Sequence, residues 1–195
     1  MTKPETPPVP SETIRALAGA LRFCKFDFAA VAAFDPGLDA AKRSFWAAVY
    51  GVPFYAAVLG LDLWQSAANR PADLGIYTLV QAIAYVVHTA GFPLAVLGLA
   101  RLLGHVEQWP LFVTAQNWIG LIQLVALFAT IVLDQSGILG VVGTLLLIGV
   151  QLYALVVEAY VAKVTLGVSV TASCAIVLLD IVFGVGIDQL AVRLF

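Results

Sequence analysis

The sequence predicts an all-α fold: a polytopic transmembrane bundle of about five helices with an N-terminal amphipathic interfacial helix. Of the 195 residues, 62% are hydrophobic and 11% are charged, whereas an ordinary soluble domain has roughly 45 to 50% apolar and about 25% charged residues. The apolar residues form runs of the roughly 20 residues that a helix needs to cross a bilayer. The connections between these runs are too short to hold a soluble domain.

The N-terminal 43 residues precede the first apolar run. Residues 1–10 are polar and proline-rich, and we expect a disordered tail there. Residues 11–43 are predicted to form a cytoplasmic amphipathic segment that begins with Ser11 as a helix N-cap. Apolar residues recur in it at helical spacing, at Ile14, Leu17, Leu21, Cys24 and Phe28.

Basic residues of the same segment predict where it lies. A basic amphipathic helix is typical of a membrane surface, so we expect contact with anionic lipid head groups. The candidate contacts are Arg15, Arg22, Lys25, Lys42 and Arg43. The alternative is a helix packed on the cytoplasmic end of the bundle.

Residues 44–195 are predicted to form the transmembrane domain. Its five spans lie at about residues 45–64, 74–103, 111–133, 137–161 and 169–190. Basic residues resist translocation, and a cytoplasmic N-terminus leaves only Arg70 and Arg193 of the 10 Lys and Arg residues outside. We therefore expect a cytoplasmic N-terminus and a periplasmic C-terminus. The frequent use of Ala, Leu and Val indicates a bacterial inner membrane. The end of the fifth span stays open between Gly184 and the segment that follows it.

Polar residues inside the apolar runs are the candidates for function because they are costly to place in hydrocarbon. On each of the last four spans they are spaced as one helical stripe, and such stripes should face each other. The predicted intramembrane polar cluster consists of His88, Asn117, Gln123, Gln151, Glu158 and Asp180. Two interpretations stay open. Asp180 and His88 form part of a proton or cation path, or the polar groups hold the helices together through hydrogen bonds.

The sequence predicts no enzymatic activity, no cofactor and no metal site. The two histidines have no Cys or carboxylate at ligand spacing. The glycine-containing stretch GVVGT lacks the lysine of a phosphate loop, and no serine or cysteine has a nearby base. The net charge of −2 gives no reason to expect nucleic acid. The expected partners are the lipid bilayer, membrane proteins or further copies of the chain.

Two stretches resemble the Yip1-like superfamily of five-helix membrane proteins, in its prokaryotic branch. GLARLLGHVEQWPLFVTAQNW is similar to that group's link between the second and third spans. YALVVEAYVAKVTLGVSVTASCAIVLLDI is similar to its fourth span, short loop and fifth span. The resemblance implies a partner-binding, membrane-shaping role. It does not extend to binding of Rab-type GTPases, because the acidic-Leu-x-Gly-Pro motif of the eukaryotic members is missing from this chain.

The leading functional hypothesis is a non-enzymatic integral membrane protein that organises or binds other membrane components. The first alternative is a small proton- or ion-coupled permease or channel that uses the polar cluster. The second alternative is an accessory subunit of a larger membrane complex.

Overall fold

The structure, a computed structural model, describes residues 10–65 and 71–192, and these residues are mostly helical. The seven α-helices in these residues are α1 Pro10–Phe23, α2 Leu38–Ser44, α3 Trp46–Gln65, α4 Leu74–Leu103, α5 Trp109–Gln135, α6 Val141–Leu166 and α7 Val170–Val192. Short 3-10 helices lie at Phe28–Ala33 and Val106–Gln108. Five of the described helices are long and apolar enough to cross a membrane. The predicted all-α bundle is confirmed.

Helix α5 lies at the centre of the bundle. It packs against α1, α2, α3 and α6, while α7 packs against α6 and α4. The outer surfaces of the long helices carry large apolar side chains, such as Val86 on α4, Leu145 on α6 and Val182 on α7, each more than half exposed. A water-soluble protein of this size rarely exposes apolar side chains in such continuous surfaces. Hydrocarbon is therefore the solvent that fits the outside of this bundle.

The helix ends explain two differences from the predicted spans. The fourth span was expected at residues 137–161, but α6 runs from Val141 to Leu166. Gly140 at its N-terminus has φ +51 and Gly167 at its C-terminus has φ +69, conformations that glycine adopts at little cost and that end a helix. Helix α7 continues through Gly184 to Val192, so the glycines of the fifth span do not interrupt it.

The N-terminal segment forms a helix, but only part of the predicted apolar stripe faces the bundle, through the partly buried Leu17 and Cys24. Ala16, Ala20 and Phe23 are buried, and α1 packs against α5 and against the 3-10 helix at Phe28–Ala33. Ile14 and Leu21, which belong to the predicted apolar stripe, are 67% and 52% exposed. The small side chains let α1 approach the bundle closely, so the alternative of a packed helix describes this face. A position of α1 on the membrane surface stays a prediction.

Parts of some predictions fall outside the described residues. These are positions 1–9 of the expected disordered tail, together with Arg70 and Arg193, the two basic residues expected on the periplasmic side.

Candidate functional site

A cavity of about 450 Å³ lies between the five long helices, and each of α3 to α7 contributes to its wall. All six residues of the predicted polar cluster border it, namely His88, Asn117, Gln123, Gln151, Glu158 and Asp180. The stripes therefore meet in one place, as their helical spacing indicated. Ligand sites in proteins commonly enclose about 300 to 1,000 Å³, and this cavity falls within that range.

Four acidic or basic side chains border the cavity, from three different helices: His88 on α4, Glu158 on α6, and Asp180 and Asp188 on α7. Glu158 on α6 is 4% exposed, although it lies only about two turns from the end of its helix. His88 on α4 places Nε2 at 3.2 Å from Oδ1 of Asp180 on α7. This is within ion-pair reach, but the direction of approach does not make a hydrogen bond, and Asp180 Oδ1 has no other partner among the described residues.

Acceptor oxygens without partners are a shared feature of this cavity. Within the described part of the chain, three buried side-chain atoms have no hydrogen-bond partner: Gln116 Oε1, Glu158 Oε1 and Asp180 Oδ1. All three residues border the cavity. An unpartnered polar atom in a low-dielectric interior costs free energy, and most buried polar atoms in proteins have a partner. The cavity therefore presents acceptors that a donor-bearing occupant would satisfy.

Two of the amides in the cluster connect helices. Asn117 on α5 donates from Nδ2 to Ser44 Oγ at 2.8 Å. Gln123, also on α5, donates from Nε2 to the carbonyl of Ala154 on α6 at 3.1 Å. Gln151 is exposed at the edge of the cavity. For Asn117 and Gln123 these bonds match the interpretation that polar groups hold the helices together.

The aromatic wall of the cavity was missing from the predicted cluster. Tyr55 on α3 and Tyr85 on α4 stack with ring centroids 4.6 Å apart. The Tyr85 hydroxyl donates to the carbonyl of Ala48 at 2.8 Å, and the Tyr55 hydroxyl donates to Gln81 Oε1 at 3.2 Å. Tyr55 was not included in the predicted cluster because its span carries no charged or amide residue at the depth of the cavity. The sequence feature that could have identified Tyr55 is its spacing of four residues from Gly51, which places both residues on one face of the helix. Gly51 also borders the cavity.

Glycines bring α4 and α7 close together beside the cavity. A Cβ atom at Gly184 would lie 3.6 Å from His88 Nε2, and a Cβ atom at Gly91 would lie 2.6 Å from Cζ of Phe183. The small residue on each helix thus faces a ring on the other. This reciprocal contact fixes the distance between His88 and Asp180.

The candidate lipid-surface residues are divided by the structure into paired and exposed groups. Arg22 contacts Asp27 at 2.7 Å, Arg43 contacts Glu12 at 3.1 Å, and Lys42 contacts Asp39 at 3.7 Å. Arg15 and Lys25 are exposed. Among the five candidate lipid-surface residues, only Arg15 and Lys25 form no ion pair with the described residues.

No protein-family model, curated protein or solved structure matches the chain. In the residues searched, no group of three or more His, Cys, Asp or Glu side chains is placed to hold a metal ion. The site therefore has to be interpreted from its own geometry. That geometry belongs to an integral membrane protein whose polar side chains converge on an internal cavity.

Proposed function

We propose that this protein is a small permease that binds a solute in the central cavity and moves it across the membrane, coupled to a proton or another ion. One observation carries the proposal: His88, Glu158 and Asp180, on three helices long enough to cross a membrane, border one cavity. Ionisable residues inside a membrane are costly, and they commonly mark the paths of ions and substrates.

The chemistry of a buried carboxyl group supplies a coupling mechanism. An unpaired carboxylate in a low-dielectric cavity is strongly disfavoured, so Glu158 needs either a bound proton or a cationic partner. A proton and a cationic solute therefore compete for the same oxygens. When the solute binds, the proton leaves to water, when the solute departs, a proton returns, and without solute these groups pass protons alone along the membrane potential. The His88 ring beside Asp180 places a second ionisable side chain at the cavity.

Proton flux into liposomes tests the proposal. The full-length protein is reconstituted with a pH-sensitive dye inside the vesicles, and a potassium gradient with valinomycin imposes the driving potential. We expect the parent to admit protons faster than empty vesicles and Asp180→Asn to reduce that flux by about tenfold or more, since its side chain no longer titrates. Glu107→Gln is the matched control because Glu107 is exposed and lies outside the cavity.

Equal and negligible fluxes for the parent and Asp180→Asn would remove the conducting path. A flux that falls equally in Glu107→Gln would indicate a general effect of the substitutions. Variants are compared only after size-exclusion chromatography shows the same elution as the parent.

A second candidate function, the organisation of membrane components, is favoured by the outer face of α1. Ile14 and Leu21 are exposed on the side opposite the buried Ala16 and Ala20, and Arg15 is exposed next to them. An apolar face with basic neighbours fits the boundary between head groups and acyl chains. The Yip1-like resemblance and the basic residues near the expected cytoplasmic ends support this role and an inner-membrane location.

Quenching by brominated lipid tests the second candidate. A fluorophore is attached at Ile14→Cys in the full-length protein with Cys24 and Cys174 replaced by alanine, and the protein is placed in nanodiscs. We expect strong quenching at position 14 and little at Asp39→Cys, because the Asp39 side chain is 85% exposed and charged. Equal, weak quenching at both positions would place this face of α1 in water and contradict the role.

A further inference from the structure

The oxygens that the cavity leaves without partners specify the chemistry of its occupant. Gln116 Oε1, Glu158 Oε1 and Asp180 Oδ1 are all acceptors, and Glu158 is nearly completely buried. An anion or a carbonyl compound offers no donor to the amide oxygen of Gln116 or to a deprotonated carboxylate. The occupant therefore needs N–H or O–H donors, and the carboxyl groups favour a donor that carries positive charge.

The volume of the cavity separates an organic cation from a bare ion. A water molecule accounts for about 30 Å³ of liquid volume, whereas the cavity measures about 450 Å³. Most of its lining is apolar or aromatic, with Phe92 and Leu121 beside the tyrosine pair. A dehydrated metal ion would meet oxygen acceptors only and leave the apolar part of the wall unfilled. An occupant with an apolar body fills that wall.

The tyrosine rings add a second preference for cations. Tyr55 and Tyr85 both border the cavity and are fixed by their stacking and hydroxyl bonds. The face of an aromatic ring attracts ammonium groups, more strongly where water is excluded. The acceptor oxygens and the aromatic residues of the lining thus select for the same class of molecule.

We propose that the cavity binds a small organic cation with a protonated amino group, whose N–H donors meet Gln116, Glu158 and Asp180 and whose apolar part lies against Tyr55, Tyr85 and Phe92. This inference rests on the proposed solute-binding role of the cavity and names the substrate class. It assigns Glu158 as a binding residue for the ammonium group.

Binding of phenethylammonium to the purified full-length protein in detergent tests the proposal by isothermal titration calorimetry. The matched comparison is phenethyl alcohol, which has nearly the same shape and a donor but no charge. We expect phenethylammonium to bind at least about tenfold more tightly than the alcohol, because a hydrogen bond to a charged group is roughly twice as strong as a neutral one. This comparison uses the parent protein and does not depend on any variant.

Variants locate the site. Glu158→Gln keeps the shape of the side chain and removes its charge, so we expect it to weaken phenethylammonium binding by about tenfold or more. It should weaken the binding of phenethyl alcohol much less, because a neutral hydroxyl donor loses less than a charged one when the carboxylate charge is removed. Glu107→Gln, at an exposed position, should bind both compounds as the parent does. Asp180→Asn serves the same purpose if Glu158→Gln does not elute as a folded species.

Three results would overturn the inference: equal binding of the ammonium compound and the alcohol, tighter binding of sodium than of phenethylammonium, or no binding of either organic compound. If ammonium binding is absent while proton flux still depends on Asp180, the substrate class is wrong and the proposed transport stands. If phenethylammonium binds through Glu158 but no flux is observed, the binding site is supported and the transport role falls.

Discussion

His88 on α4 and Asp180 on α7 meet beside the central cavity, with Nε2 and Oδ1 3.2 Å apart. The two residues belong to helices that are separated in sequence by both α5 and α6. Gly184, one turn from Asp180, lies against the imidazole ring, where a Cβ atom would be 3.6 Å from Nε2. This pair joins the second and fifth long helices at the depth of the polar cluster.

The first prediction concerns the energetic coupling of this pair. In a double-mutant cycle of His88→Ala, Asp180→Ala and the double variant, we expect a coupling free energy of about 0.6 kcal/mol and at most about 1.7 kcal/mol, the range of interhelical polar contacts in membranes. The free energy of unfolding is measured by steric trapping in bicelles. Strictly additive effects of the two substitutions would show that the contact contributes nothing to stability.

The sequence predicted the spans and the polar cluster for a physical reason. Long apolar runs have few alternatives to crossing a bilayer, and polar residues at helical spacing must share one face. His88, Gln123 and Asp180 were predicted to belong to stripes that face each other, and they do border one cavity. The polar stripes were predictable because hydrocarbon excludes them so strongly.

The packing face of α1 was not predictable from the same pattern. Lipid and the protein interior are both apolar, so hydrophobicity alone does not say which apolar side chains face which. The buried face of α1 includes Ala16 and Ala20 as well as the large Phe23, whereas Ile14 and Leu21 are exposed. Tyr55 was missed for a related reason, since a tyrosine is compatible with lipid, interface and cavity alike.

The second prediction tests the docking of α1. A Cβ atom at Gly19 would lie 2.5 Å from Cβ of Ala33, and that atom cannot move without its backbone. We expect Gly19→Ala to weaken docking by about 1 to 3 kcal/mol, as overpacking does. The weaker docking is measured as faster hydrogen exchange of the α1 amides. Gly98→Ala is the control because no atom lies within 4 Å of its Cβ position. Equal protection of α1 in both variants would mean that this contact is not formed.

The third prediction concerns Asp27, which begins the turn after α1. The pKa of its carboxyl is lowered, first because Arg22 donates a hydrogen bond to it and further because the backbone N–H of Ala29 does so. Because this pKa is lower in the folded state than in the unfolded state, the ionised carboxyl stabilises the fold. The stabilisation is complete above the unfolded-state pKa of about 4 and is lost as the pH falls through the lower, folded-state pKa. The turn should therefore loosen in acid, below about pH 4.

Spin labels at Ala18→Cys and Lys163→Cys, with the native cysteines replaced by alanine, measure this loosening as a broader distance distribution at low pH. Asp27→Asn retains an oxygen that can accept from Ala29 but removes the charge. We expect that variant to show the broader distribution at neutral pH and little further change in acid. A distribution that is independent of pH in the parent would contradict the role of the Arg22–Asp27 pair.

The fourth prediction uses Cys24 to report on the turn that follows α1. Tyr153 and Tyr160 on α6 donate hydroxyl hydrogen bonds to the carbonyls of Cys24 and Phe26. Phe26 has φ +57, a conformation uncommon for a bulky residue, so the turn depends on these contacts to keep its shape. Partial burial raises the pKa of the Cys24 thiol, and because the thiolate is the reactive form, alkylation near neutral pH should be slow.

Removal of the Tyr160 hydroxyl should accelerate this reaction. A neutral hydrogen bond contributes about 0.5 to 1.5 kcal/mol, so Tyr160→Phe should raise the population of the open turn, and the maleimide labelling rate of Cys24, by about 2- to 10-fold. The measurement is made in a Cys174→Ala background, where Cys24 is the remaining cysteine. Tyr50→Phe on α3 provides the same chemical change away from the turn and should leave the rate unaltered. If Tyr160→Phe and the parent react at the same rate, the hydroxyl bond to Phe26 does not hold the turn closed.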